Sequence, residues 1–476
     1  MGALIQRHRP FFLLFTGAGI ALRVWFILGY AVVQGDSLIY GDIAKNWLLH
    51  GTYGLSTGNG VQPTYIRLPG YPAFLAVIFR LFGMEHYGAA MFTQMFVDMA
   101  SCFLIAALAM RLCGSSRRAR TQEDWHDAAG LSGFALAALC PFTANYVAAP
   151  LAETWSIFLT VLPLYLAGEA ISHPEKPRWW WAAGVALGAG LMFRPDAGVL
   201  ILVLGGWLLL RFAFSQARKQ ALMAGIAIAL PVLLILGPWT LRNWRTMHRF
   251  EPLAPRYAND PGDFVPHGFN RWVKTWLVDF ISVQQVYWKM DGEEVDITKL
   301  PERAFDSTAE REQTEKVLSE YNDSLSLSQQ LDDRFAELAR QRIHRHPFRY
   351  YVMLPIVRMA DMWLRPRTEM LPIEPDWWNA DDHTGESVVA QSYATLNALL
   401  LGAALWGCGK ARLAGAGALL NLCLVFVLLR TAFLGSLENP EPRYTLEMYP
   451  VVLALAGIAL IQVPQGRIIA RENQTF

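Results

Sequence analysis

Runs of about 20 apolar residues recur along this chain, and they limit its fold more than any other feature, because a helix of that length crosses a bilayer core about 30 Å thick. Ten can be placed, near 11–33, 87–110, 128–147, 151–171, 179–193, 197–213, 221–239, 389–408, 413–434 and 445–463. The fold class expected is an all-α polytopic membrane protein, a bundle of ten to twelve spans with surface helices and a small helical cap outside the membrane. Composition agrees: 53% of residues are hydrophobic, 17% are charged and mean hydropathy is +0.24, against about 25% charge in an ordinary soluble chain. A net charge of +1 and no basic stripe interleaved with stacking aromatics exclude nucleic acid as a partner.

The basic start Arg7, His8, Arg9 precedes the first apolar run, which lacks a small-residue cleavage site and so reads as a retained span. Lys and Arg gather on the cytoplasmic side of short loops. Segments 111–120, 172–178, 211–219, 410–412 and the tail with Arg467 and Arg471 all share the side of the amino terminus. Both termini are therefore expected in the cytoplasm, the protein in the inner (plasma) membrane, and segments 34–86, 148–150, 194–196, 240–388 and 435–444 outside. The chain divides into a membrane module 1–239 with its outer loop 34–86, an extracytoplasmic region 240–388, and C-terminal helices with a tail, 389–476.

Within the first outer loop, Ile39, Ile43 and Trp47 recur at helical spacing, and Gly51 and Gly54 stop the pattern. A helix lying flat in the headgroup layer is expected there, with Asp36 where the first span leaves the membrane. Gly58–Gly60 reads as a turn, and Tyr71 to Phe82 as a re-entrant or surface helix. In the large outer region, Leu327, Leu331, Phe335 and Leu338 form an apolar stripe, with Ser326 and Gln329 as an expected capping box. The stretch HPFRYYVMLPIVRMADMW carries Arg349, Arg358 and Asp361 and is expected to lie on the surface. The five cysteines show no CxxC pair and read as small buried hydrophobes.

Charges in or beside a membrane are costly unless they pair, touch water or serve function. Arg23 and Asp98 lie at comparable depth in the first two spans and are expected to pair, while Arg430 could snorkel toward phosphate or water. The rest gather at outer span ends: Asp36 and Asp42, Glu153, Arg194 and Asp196, Arg242, and Glu441 with Arg443. Carboxylates serve as bases or bind sugar hydroxyls, and the planar guanidinium fork suits phosphate. Of the 41 basic residues only 8 are Lys, so the set suits a substrate whose phosphate is attached to a lipid. No P-loop and no GxGxxG after a strand is present, so no nucleotide site is indicated.

These residues resemble a known family, the GT-C glycosyltransferases that use polyprenyl-phosphate sugars. The likeness is to the branch of protein O-mannosyltransferases, the lipid A aminoarabinose transferase and the rhizobial galacturonosyltransferases. It rests on GDSLIYGDIAKNWLLHG at Asp36, RLPGYPAFLAVIFRLFG from Arg67, APLAET at Glu153, GVALGAGLMFRPD ending at Asp196, GPWTLRNW at Arg242, HPFRYY at His346 and EPRYTLEMYP at Arg443. The resemblance implies that Asp36 deprotonates an acceptor hydroxyl, which attacks the anomeric carbon and inverts it. It also implies that Glu153 orients acceptor or donor and that Arg194, Arg242 and Arg443 match positions from which relatives contact the phosphate, with spacing leaving open which of them do; Asp42, whose role the departure at Ser37 leaves open, Lys45 and Arg67 are the other residues expected to bind substrate. Many relatives carry Asp-Glu where this chain has Asp36-Ser37, which leaves Asp36 as the sole acid at that motif. The partners implied are a polyprenyl-phosphate sugar, an unidentified envelope acceptor and membrane lipid; no cofactor and no obligatory metal is expected. A flippase or transporter, and a polymerase or ligase of lipid-linked glycans, are the alternatives left open.

Overall fold

The computed structural model describes residues 1–113, 119–290, 292–374, 377–378 and 384–461, with side chains from residue 124 onward in the helix that begins at 119. Arg117, Arg118, Arg467 and Arg471, and the side chain of Arg120, lie outside the described residues.

A short helix, α1 (Gly2–Arg7), leads into the first span, α2 (Arg9–Gly29). The segment expected as the first outer loop follows as α3 (Asp36–His50), an antiparallel hairpin of β1 (Gly54–Thr57) and β2 (Gly60–Pro63), and α4 (Gly70–Phe82). Gly58 and Asn59 make the hairpin turn, as the sequence suggested, but the strands on either side were not anticipated. Gly51 closes α3 in the left-handed region at φ +66°, a backbone state that glycine enters without steric strain.

The bundle continues with α5 (Tyr87–Leu112), α6 (Ala119–Ala138), the single turn α7 (Pro141–Ala144), α8 (Glu153–Ser172), α9 (Arg178–Phe193), α10 (Gly198–Phe214) and α11 (Arg218–Met247). It ends with α17 (Thr384–Leu413), α18 (Gly417–Gly435) and α19 (Tyr449–Ala459). Each of the ten expected spans has a helix, but among the described residues only seven helices are long and apolar enough to cross a membrane unaided. An eighth results if Asp124–Ala138 and Pro141–Ala148, bent by 48°, form one span; the bend falls where Pro141 cannot donate into the preceding turn. The two that fall short are instructive. With 16 residues, α9 is about 24 Å long. The 11-residue α19 has every residue buried, because it packs inside the bundle against α17, α6 and α5. Gly407 makes that packing possible, since a Cβ there would fall 1.8 Å from the Leu455 carbonyl oxygen.

Two buried charges within the first spans do pair: the Arg23 Nε donates to Asp98 at 2.7 Å, and its Nη1 donates to the carbonyls of Gly19 and Ala138. The five cysteines are unpaired, four of them buried.

The cap has its own core. Helix α12 (His267–Val273), the turn α13 (Phe280–Ser282), α14 (Thr308–Ser324) and α15 (Gln329–Arg345) close over Trp272, Trp276, Leu318, Tyr321 and Phe335. Asp332 accepts from the backbone N–H groups of Gly268 and Phe269, tying α15 to α12. The helix cap differs from the expectation at Ser326: Ser328 accepts from the Leu331 N–H and caps α15. The apolar stripe still begins at Leu331, so the periodicity was informative about the face but not about which serine opens it. Helix α16 (Leu354–Leu364) then joins cap to bundle. Ile356 and Leu364 are exposed on it, as suits a helix against lipid, while buried Arg358 donates to the Leu277 and Lys274 carbonyls and Arg349 pairs with Asp306 at 2.7 Å.

Candidate active site

Asp36 opens α3. The preceding Gly35 has φ +53°, which turns the chain out of the first span and puts the carboxylate at the positive end of the helix. The Arg67 Nη2 donates to Asp36 Oδ1 at 2.6 Å, and the Arg443 Nη2 lies 3.6 Å from Oδ2. Burial alone would raise the Asp36 carboxyl, but Arg67, Arg443, the hydrogen bond from Arg67 and then Arg194 outweigh it and hold the group below the usual carboxylate range.

Glu153 is likewise the first residue of its helix, α8. The turn before it is fixed from two sides. Buried Gln94 donates to the Ala149 carbonyl at 2.9 Å and accepts from the Tyr71 hydroxyl at 2.5 Å, and the Val32 N–H donates to the Ala148 carbonyl at 3.0 Å. That last bond links the segment carrying Asp36 to the segment carrying Glu153. The two carboxylates share Arg443, whose Nη1 is 3.7 Å from Glu153 Oε1.

From Glu153 the network runs inward. Arg194 reaches Glu153, Asp196 and Glu447, each at 3.2 Å. Arg430 is 1% exposed at its side chain and reaches Asp196 at 2.8 Å and Glu447 at 2.9 Å. Its guanidinium is thus held by protein rather than snorkelling. The 3-10 segment Pro442–Met448 supplies both Arg443 and Glu447, and Arg443 Nε also pairs with Glu441 at 2.5 Å. Arg67, Arg443, Arg194 and Arg430 therefore alternate with Asp36, Glu153, Glu441, Asp196 and Glu447 along one connected chain of charges. Such a chain can bind an anion on its guanidiniums, whose forks are then shared between ligand and carboxylate, while a carboxylate accepts a proton.

Of the eight residues expected at a site, the structure brings together Asp36, Glu153, Arg67, Arg194 and Arg443. The other three it places elsewhere. Asp42 accepts from the Ser56 N–H at 2.7 Å and hydroxyl at 2.8 Å, pinning β1 to α3. Lys45 pairs with Glu85 at 2.9 Å. Arg242 donates to the carbonyls of Thr64 at 2.7 Å and Tyr53 at 2.6 Å and lies over the rings of Tyr53 and Trp239. In the structure these three side chains tie together the segment 34–86, apart from the charged chain that holds the other five. Spacing could not separate them from the rest, because a charge near a span end looks the same whether it meets a backbone carbonyl or a carboxylate from another helix. Glu447 and Gln94 escaped the sequence reading; Glu447 stands in a quoted motif, but Gln94 gave no signal.

No family model matches the chain, and no curated protein sequence is significantly similar to it. Solved structures are similar in fold. The archaeal oligosaccharyltransferase AglB from Archaeoglobus fulgidus, in complex with an inhibitory peptide and a dolichol-phosphate, matches over 96% of this chain at 10% identity with a TM-score of 0.51. The chain spans only 50% of that protein's length. ArnT from Cupriavidus metallidurans, bound to undecaprenyl phosphate, aligns over 95% of this chain and 78% of its own at 13% identity, with a TM-score of 0.37. The helical bundle is thus similar in fold to that of AglB over most of this chain.

Proposed function

We propose that this protein is an integral-membrane glycosyltransferase that moves a sugar from a polyprenyl-phosphate donor to an acceptor hydroxyl at the outer face of the membrane, inverting the anomeric carbon. The observation that carries this reading is Asp36 held between two guanidiniums at a helix N-terminus. A hydroxyl is a poor nucleophile near pH 7, and a positioned carboxylate that removes its proton contributes about 10²- to 10⁴-fold. The leaving group is a phosphate gaining charge, which Arg67 and Arg443 stabilise.

The two roles are coupled. In the free protein the arginines hold the Asp36 carboxylate and make it a weak base. A donor phosphate arriving between them competes for the same N–H groups, which loosens that hold and lets Asp36 take the acceptor proton. Glu153, itself held by Arg194, keeps Arg443 in place. With guanidiniums carrying the phosphate charge, no divalent cation is required in this mechanism. The orientation expected from the loop charges, with both termini in the cytoplasm and the charged cluster outside, belongs to this reading.

The test is turnover by the purified protein in nanodiscs, given farnesyl-phosphate sugars and a membrane-glycan extract as acceptor source. Expected are a glycosidic product and free farnesyl phosphate, undiminished by EDTA. Movement of the lipid-linked sugar across the bilayer without product would replace this reading with a transporter, and activity only with diphosphate donors would replace it with a polymerase or ligase.

A further inference from the structure

Beside the charged chain sits a carboxylate that has no role in it so far. Glu369 follows α16, and its side chain is 7% exposed. The Tyr146 hydroxyl donates to its Oε1 at 3.0 Å, whereas its Oε2 is fully buried and has no hydrogen-bond partner. A buried carboxylate oxygen left without a donor is expensive, so a native site that keeps one invites an explanation.

Arg367 does not supply the missing bond. Its guanidinium donates to Tyr449, Thr445, and the Pro442 and Met362 carbonyls, and its closest approach to Glu369 is 3.9 Å, toward Oε1. Glu369 therefore has a compensating charge nearby but lacks a hydrogen bond at Oε2. That difference selects the chemistry of what binds: a neutral O–H donor completes the group, while a second cation is not called for.

The position joins Glu369 to the site already described. Tyr146 stands on the 3-10 turn that precedes Glu153, and its hydroxyl is flanked by the charges of Glu369, Glu153, Arg443 and Arg367. Arg367 grips Pro442 and Thr445, the neighbours of Arg443 on the segment Pro442–Met448. On the same approach to Glu153, the side-chain atoms of Asn145 and the hydroxyl of Thr154 are also buried without partners. Three of the buried side chains with unpartnered polar atoms, Glu369, Asn145 and Thr154, thus flank the turn that carries Glu153, which shares Arg443 with Asp36.

We propose that Glu369 is a specificity-determining residue that accepts a hydrogen bond from a hydroxyl of the donor sugar through Oε2, with Tyr146 fixing Oε1 and Arg367 holding the segment. This rests on the function proposed above.

The experiment measures binding of farnesyl phosphate and a panel of farnesyl-phosphate pentoses and hexoses to the full-length protein in nanodiscs. Wild type is compared with Glu369→Gln, Glu369→Ala and Tyr146→Phe. For the best sugar, wild type is expected to bind the sugar phosphate more tightly than the bare phosphate. Glu369→Ala lowers that sugar increment by about 10- to 100-fold and Glu369→Gln, whose amide oxygen still accepts, by about 3- to 10-fold, the range spanned by charged and neutral hydrogen bonds. Tyr146→Phe has a smaller effect than Glu369→Ala, and affinity for bare farnesyl phosphate is unchanged in all three. If the increment survives in both Glu369 variants, or falls together with affinity for bare farnesyl phosphate, Glu369 is a scaffold group and the proposal fails while the transferase reading stands. If no sugar phosphate binds better than bare farnesyl phosphate, there is no sugar increment for Glu369 to supply and the proposal fails, while turnover alone decides the transferase reading.

Discussion

Asp36→Asn separates a catalytic base from a structural anchor. The replacement keeps an oxygen that can accept from Arg67 at the 2.6 Å position and removes only the charge and the basicity. Its structural cost is small: the side chains of Arg67 and Asp36 are 20% and 30% exposed, and a pair that solvent reaches contributes about 1 kcal/mol or less. The catalytic loss is larger, about 10²- to 10⁴-fold in kcat for removal of a general base, or about 3 to 5 kcal/mol of transition-state stabilisation. Donor KM should stay level or fall, because Arg67 and Arg443 are then free of their competing anion. Steady-state kinetics with a farnesyl-phosphate sugar, alongside thermal unfolding, reads both parameters. A kcat within about threefold of wild type, or a raised donor KM with kcat intact, would refute the assignment. The pH dependence adds a sign. Asp36 is held below its ordinary value in the free protein, so it stays ionised to lower pH than usual and its pairing contributes stability above the unfolded value, lost as pH falls through the folded one. Displacement of the arginines by phosphate reverses that hold. The acid limb of kcat should therefore lie at higher pH than the acid limb of kcat/KM, and limbs that coincide would argue against competition for the arginines.

The pair within the first two spans predicts an asymmetric response. Arg23→Met or Asp98→Leu alone leaves a buried charge unpaired and should cost about 3 to 5 kcal/mol, seen as loss of folded protein in detergent, whereas the double replacement should recover most of it; a double variant as unstable as the worse single would refute the pairing. At the join between cap and bundle, burial raises the Asp361 carboxyl to about 6, with Arg365 opposing and Asp279 adding to the rise. An acid raised on folding contributes stability below its unfolded value and loses that contribution as pH climbs through about 6. Asp361→Asn, which can still accept from the Phe280 N–H, should therefore be the more stable protein at pH 8 by on the order of 2 kcal/mol and closer to wild type at pH 4 to 5. Thermal unfolding at the two pH values checks this, and equal stability at pH 8 would refute it.

What the residue order determined by itself is the class of the molecule and most of the charges that gather in it. Apolar runs of bilayer length announce the helices, because hydrophobic length is a local property that no tertiary contact has to supply. The cost of a charge near lipid likewise makes Asp36, Glu153, Arg194 and Arg443 conspicuous. Even the cap was visible in the stripe from Leu327 to Leu338. Apart from Arg23 and Asp98, whose shared depth in the first two spans already paired them, only the tertiary structure decided which charges meet. Asp42, Lys45 and Arg242 carry the same local signal as Arg67, yet their partners are Ser56, Glu85 and two backbone carbonyls, all within the first outer loop or reaching back to it. Glu447 and Glu369 gain their significance from arginines far away in sequence or from a tyrosine on another segment. The short α19 is a buried strut rather than a lipid-facing span because Gly407 lets it approach the bundle so closely. An ion pair depends on two side chains reaching within a few ångströms, and that distance is a property of how helices pack, which periodicity and composition do not encode.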